Sequence, residues 1–121
     1  MIVDDNIRMR EVLRLSLAGD GVEFCECDDG LGAPALYLHQ HPDWVLMDVR
    51  MRQLDGLTAT RRICAADPQA RVIIVTECDG EEMREEAAAA GARGFVRKEE
   101  LHRLRALLEL DAAPSIPPVK P

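Results

Sequence analysis

Four short strand-like runs in this 121-residue chain, three of them wholly apolar, each end on a side chain that can do chemistry. Trp44-Val45-Leu46-Met47 stops abruptly at Asp48, and Met1-Ile2-Val3 stops at Asp4-Asp5. Val72-Ile73-Ile74-Val75 finishes on Thr76, and Gly94-Phe95-Val96-Arg97 on Lys98. An uninterrupted apolar run bounded by turn signals reads as a strand buried on both faces of a parallel sheet, and such sheets place their functional crevice outside the carboxyl ends of the strands. Asp4, Asp5, Asp48, Thr76 and Lys98 are therefore expected to converge on one edge. Two unit charges ~4 Å apart repel by about 4 kcal/mol at an effective dielectric near 20, so three carboxylates gathered there would take up protons or bind a cation. With neither Cys nor His in the set, an all-oxygen site suits Mg²⁺ better than zinc, and magnesium in turn implies phosphate.

The elements needed to position these residues can be read from the spacing. After the first strand, Met9, Val12, Leu13 and Leu17 recur at helical intervals until Gly19-Asp20-Gly21 stops the helix. Residues 22–27 alternate as a strand with Val22 and Phe24 packing, ended by Asp28-Asp29-Gly30. Residues 31–39 are helical in pattern, with Pro34 tolerated because it falls in the first turn. Residues 49–55 form a loop that closes in a turn at Asp55-Gly56. The next helix packs through Leu57, Thr60 and Cys64, widened by Ala59, Ile63 and Ala66. An alanine-rich, acidic helix over 81–90 offers only Met83, Ala87 and Ala90 to a core, and Leu101, Leu104, Leu107 and Leu108 build a final amphipathic helix. Five strands alternating with five helices imply an α/β fold in one domain: a flavodoxin-like, doubly wound (βα)5 parallel sheet of order 2-1-3-4-5 with right-handed crossovers. The domain is expected over residues 1–110, followed by a proline-rich, disordered tail or linker remnant over 111–121.

Composition narrows the function further. A net charge of -7 and a pI near 4.9 argue against direct nucleic-acid binding, since no basic stripe is available to displace phosphate counterions. Cys25, Cys27, Cys64 and Cys78 fit neither a zinc spacing nor a secreted disulfide scaffold and read as cytosolic thiols. No apolar run reaches membrane-spanning length, and the start lacks signal-peptide features, so a soluble cytoplasmic protein is expected.

Taken together, Asp4-Asp5, Asp48 followed by Val49-Arg50-Met51, Leu54-Asp55-Gly56-Leu57, the run ending at Thr76, and residues 91–98 ending at Lys98 resemble a response-regulator receiver domain of two-component signalling. The resemblance covers residues 1 to about 110 and is similar in detail to receivers that precede a helix-turn-helix output domain. It implies that Asp48 accepts a phosphoryl group from a sensor histidine kinase. Asp5 would bind Mg²⁺ directly, Asp4 mainly through water, and Asp48 and the backbone carbonyl of Arg50 would complete the metal site. Thr76 would hydrogen-bond the bound phosphoryl, Lys98 would pair with it, and Phe95 would be the aromatic whose rotamer reports the switch. It further implies a changed partner-binding surface, dimerisation on phosphorylation as one form of that change, transcriptional control through an attached or lost output domain, and no enzyme activity beyond the domain's own phosphorylation and dephosphorylation.

Several positions depart from the family pattern. Glu99 follows Lys98 where stand-alone receivers carry proline, Arg52 follows Met51 where proline is usual, and Glu77 stands after Thr76 where a small residue is normal. The first strand is also short. These departures motivate the alternative of an interaction module that no longer depends on phosphorylation. A phosphatase of the haloacid-dehalogenase kind would need an aspartate where Arg50 stands. Taken singly, Asp48 could be a turn cap, Asp4 and Asp5 solvated acids, Thr76 a plain strand residue and Lys98 a surface lysine; their joint placement carries the functional reading.

Overall fold

The computed structural model describes the backbone of residues 1–77 and 80–112 and the side chains through residue 109. The chain forms β1 (Ile2–Val3), α1 (Ile7–Leu17), β2 (Glu26–Cys27), α2 (Ala33–Gln40), β3 (Val45–Met47), α3 (Gly56–Ala66), β4 (Val72–Thr76), α4 (Glu81–Ala90), β5 (Gly94–Arg97), a 3₁₀ segment (Lys98–Arg103) and α5 (Leu104–Ala112). All strand pairings are parallel, and the sheet order is β2-β1-β3-β4-β5. This is the expected doubly wound arrangement, in which helices cover both faces and the central strands β3 and β4 are buried throughout.

Strand alternation sorts the core into two layers. Val3, Val45, Met47, Val72 and Ile74 face one way, against Tyr37 of α2, Ile63 of α3 and the alanines Ala87 and Ala90 of α4. Ile2, Leu46, Ile73, Val75 and Val96 face the other, against Leu13 and Leu17 of α1 and Leu104 of α5. Arg105 adds a polar tie on this second side, its Nη2 donating to the carbonyls of Ser16 and Ala18 at 3.1 Å each.

Several local expectations change. β2 pairs over two residues, because its only neighbour in the sheet is β1, which offers Ile2 and Val3 alone. Val22 is consequently exposed, while Phe24 still packs against the second core layer. Val12 is exposed as well, since α1 buries a narrow stripe of Leu13 and Leu17 flanked by the partly buried Met9. In α3, Ala66 faces solvent. α2 begins at Ala33 rather than at residue 31, and Pro34 does fall in its first turn. The final helix is preceded by a 3₁₀ segment over the residues that follow β5. Of the tail expected over 111–121, Asp111 and Ala112 belong to α5 and 113–121 lie outside the described residues, as does Cys78. Cys25, Cys27 and Cys64 are free thiols. Among the described residues no helix is long and apolar enough to cross a membrane.

Ile63 is 1% exposed at the centre of the first layer. Truncation to alanine removes its buried methylenes and leaves a cavity in a layer whose α4 side is already thin. Ile63→Ala is expected to lower unfolding free energy by about 2 to 5 kcal/mol, read from urea denaturation midpoints.

Candidate functional site

Two elements of physics bring the acids together. The parallel ladder aligns the strand ends: the amide of Asp48 donates to the carbonyl of Val3 at 2.9 Å, and the amide of Asp4 to that of Cys27 at 3.1 Å. Alternation then decides the face, because Asp4 continues the side of Ile2, Asp48 that of Leu46, and Lys98 that of Val96. One oxygen from each of Asp4, Asp5 and Asp48 lies within 4.8 Å of the other two. Lys98 Nζ stands 3.1 Å from Asp4 Oδ2 and 3.3 Å from Asp48 Oδ1. Asp4 and Asp48 are buried, at 1% and 6% exposure, and Asp5 is half-buried at the rim.

The electrostatics follow from that crowding. Burial pushes the Asp48 carboxyl up from 3.8 to about 6, and the charge of Asp4 pushes in the same direction, while Lys98 partly opposes both. For Lys98, burial alone would favour the neutral amine, but the negative charges of Asp48 and Asp4 outweigh it and raise the ammonium above its usual range. The site is an acid cluster partly neutralised by one cation. Its donor set of carboxylate oxygens, without sulfur or imidazole, fits a hard divalent ion such as Mg²⁺.

The surrounding backbone is anchored in turn. Asp4 Oδ1 accepts from the amide of Asn6 at 2.9 Å, and Asn6 caps α1 by accepting from the amides of Arg8 and Met9. Arg10 Nη1 donates to the carbonyl of Asp4 at 2.6 Å, and Arg10 and Arg14 both pair with Glu26 of β2. On the far side of Asp48, the amide of Gly56 donates to the carbonyl of Val49 at 2.8 Å. A Cβ on Gly56 would overlap the carbonyl oxygen of Asp48, so the first turn of α3 reaches the acceptor's backbone only because residue 56 is glycine.

Asp4, Asp5, Asp48 and Lys98 thus form one cluster. Thr76 ends β4 on the same edge and is fully buried; Met47 is in register with Ile74, one residue before Asp48 and two before Thr76. Phe95 stands in register with Ile74, below the rim, and packs against the first core layer rather than joining the acids. The guanidinium of Arg84 from α4 lies 4.7 Å from its ring centroid. Arg50 is an exposed member of the loop that leaves Asp48. Gly56, Arg10 and Arg84 escape a reading of the sequence: the Asp55-Gly56 pair signals a turn but not the proximity of Asp48, and the two arginines have no marker among the fifteen basic residues.

The profile of the response regulator receiver domain matches residues 1–109, and the chain belongs to that family. It is 36% identical over 99 residues to the chemotaxis protein CheY of Bacillus subtilis, covering 81% of this chain and 82% of that protein. It is 34% identical over 113 residues to the response regulator MprA of a Mycobacterium species, covering 89% of this chain but 49% of the relative, so it spans about half of that longer protein. Among solved structures, a LuxR-family two-component response regulator from Aurantimonas sp. SI85-9A1 superposes with a TM-score of 0.86 at 34% identity, covering 93% of this chain and 83% of that one. CheY of Borrelia burgdorferi, solved as a CheX-CheY-BeF3-Mg complex, superposes with a TM-score of 0.80 at 28% identity, covering 93% and 85%. Receiver domains are signalling proteins that bind Mg²⁺ at an acidic cluster and interact with histidine kinases, which makes a phosphorylatable signalling switch the coarse function of this chain.

The raised Asp48 carboxyl has a signed consequence for stability. A carboxyl whose native pKa lies above its unfolded value binds its proton more tightly when folded, so its contribution is present below about pH 4 and is lost as the pH rises to about 6. In the absence of divalent ions, the stability of wild type relative to Asp48→Asn should fall by on the order of 2 kcal/mol between pH 4 and 6.5. Paired urea denaturation across that range measures it; a difference that stays constant would contradict the assigned environment.

Proposed function

We propose that this receiver accepts a phosphoryl group on Asp48 from the phosphohistidine of a sensor histidine kinase and so changes the surface it offers to partners. The observation that supports this most is the ammonium of Lys98 set between the buried carboxylates of Asp4 and Asp48, with Asp5 beside them. In the transfer, a deprotonated Asp48 oxygen attacks phosphorus, the phosphorus–nitrogen bond to the donor imidazole breaks, and its electron pair returns to the ring. Little covalent assistance is needed; positioning and charge neutralisation carry the rate. Asp4, Asp5, Asp48 and the carbonyl of Arg50 would hold Mg²⁺, which supplies neutralising charge to the phosphoryl oxygens. Lys98 pairs with the product, and Thr76, buried at the end of β4, supplies a hydroxyl to it.

A phosphoryl group on Asp48 adds charge and acceptor oxygens that redirect Lys98 away from its two carboxylates. Phe95 and α4 are the elements through which that change would reach the surface, since the ring packs on the same core layer as Ala87 and Ala90. The resulting partner is an output module, either attached in a longer protein of the MprA kind or separate as for CheY, and a second copy of this chain is one candidate. Regulation of transcription belongs to the first arrangement. The cytoplasm, where sensor kinases present their phosphohistidine, is the compartment this reading requires. Direct contact with nucleic acid is not part of it, given the charge of -7.

Incubation with acetyl phosphate and Mg²⁺ should add one phosphoryl group by intact mass; the same treatment with chelator, or of Asp48→Asn, should add none. Phosphorylation of Asp48→Asn at the wild-type rate would overturn the assignment. Glu77, exposed directly beyond Thr76, places a carboxylate beside the path of an anionic donor. Glu77→Ala is expected to react several-fold faster with acetyl phosphate, and equal rates would remove Glu77 as a barrier.

A further inference from the structure

The loop over residues 49–55 joins the phosphoacceptor to α3, and a carboxylate from a different strand end grips it. Asp29, two residues beyond β2, accepts three backbone amides: Leu31 at 2.9 Å and Leu54 at 3.2 Å on Oδ1, and Gln53 at 2.9 Å on Oδ2. Two of the three reach across 24 and 25 residues of sequence. The adjacent Gly30 lies flat against the same loop, where a Cβ would overlap the carbonyl oxygen of Leu54. Asp29 is itself fixed from behind, its carbonyl taking a bond from Cys27 Sγ at 3.0 Å. The amide bonds to Leu31, Gln53 and Leu54 hold its carboxyl below the usual carboxylate range, as expected for an anion used as an acceptor. Asp29 is not one of the acids grouped around Lys98.

The loop is therefore pinned at both ends. At its start, Gly56 sits against the backbone of Asp48 and bonds Val49; near its finish, Asp29 takes the amides of Gln53 and Leu54, immediately before Asp55 caps α3. Arg50 lies between these two anchor points. We propose that Asp29 is a positioning residue for the acceptor site: it acts through the loop over 49–55, holding it in the one shape that allows the Arg50 carbonyl to serve as a cation ligand beside Asp48. The inference rests on the reading of Asp48 as a Mg²⁺-assisted phosphoacceptor and adds a residue to it. Groups that orient metal ligands without touching the metal are typically worth 10- to 100-fold in metal affinity or activity.

The test compares the full chain as wild type, Asp29→Ala, Asp29→Asn and Tyr37→Phe. Asp29→Asn keeps the shape of the side chain but can turn an amide NH₂ toward a backbone donor. Tyr37→Phe removes the 2.7 Å bond from the Tyr37 hydroxyl to Asp67 and serves as a destabilised control away from the loop. Mg²⁺ affinity is measured by calorimetry, and the acetyl phosphate rate is followed against Mg²⁺ concentration. Both Asp29 variants should bind Mg²⁺ at least tenfold more weakly and recover most of the wild-type rate at saturating Mg²⁺, with Tyr37→Phe unchanged in affinity. Wild-type affinity in Asp29→Asn, or equal weakening in Tyr37→Phe, would overturn the proposal. If wild type bound no Mg²⁺, the reading of the acceptor site would fall, and this inference with it.

Discussion

The interaction on which the rest depends is the repulsion among carboxylates held at one edge of a sheet. Asp4 and Asp48 are almost completely removed from water, with a carboxylate oxygen of Asp5 within 4.8 Å, and the single ammonium of Lys98 answers both buried acids. Burial first, and the negative charge of Asp4 after it, disfavour ionisation of Asp48, which is why its carboxyl sits near 6 despite the opposing ammonium of Lys98. The arrangement persists because the strands that carry the acids are fixed by apolar burial on both faces. The fold supplies the constraint, and the site holds the resulting electrostatic tension ready for a cation and a phosphoryl group.

That division of labour explains which features were legible in the residues alone. The β3 run and the first four residues of β4 are apolar, and their polar ends at Asp48 and Thr76, taken with those of the other strands, point to the edge where the acids gather. The parallel sheet covered on both faces followed from five alternating elements and the handedness of crossovers, and the order 2-1-3-4-5 expected of a flavodoxin-like form is the one found. The assembly of Asp4, Asp5, Asp48 and Lys98 was expected from parallel strands ending on one edge; that Asp4, Asp48 and Lys98 also share one face is a finding of the structure, set by the period of two. The short reach of β2 was less visible, because an alternating pattern over 22–27 says nothing about how many partner residues β1 offers. Val12 and Ala66 were assigned to buried faces by periodicity, yet the width of a buried stripe depends on the neighbouring helices.

Backbone contacts were the least legible. Asp29-Gly30 and Asp55-Gly56 are each a turn signal in sequence, and both were read as such. In space each dipeptide also fixes the loop over 49–55: Asp29 through its carboxylate, Gly30 and Gly56 through the absence of a Cβ. No periodicity encodes such contacts, since they depend on where two turns meet. The stack of Arg84 on Phe95 is similar, a pairing between α4 and β5 that joins a helix with little apolar surface to a partly exposed ring. In the proposed switch, α4 is a suitable moving part because its buried residues are the small Ala87 and Ala90, whereas each other helix buries at least one large side chain: Leu13 and Leu17 in α1, Tyr37 in α2, Ile63 in α3 and Leu104 in α5.

The most direct test of the central claim is the number of protons released when Mg²⁺ binds, obtained from calorimetric titrations in buffers of different ionisation enthalpy. With the Asp48 carboxyl near 6, binding at pH 6 should release about half a proton per ion and almost none at pH 8, and Asp48→Asn should lose both the release and most of the affinity. Mg²⁺ binding that releases no protons at either pH and is unchanged in Asp48→Asn would contradict the account, because it would place the ion away from the buried acids on which everything else is built.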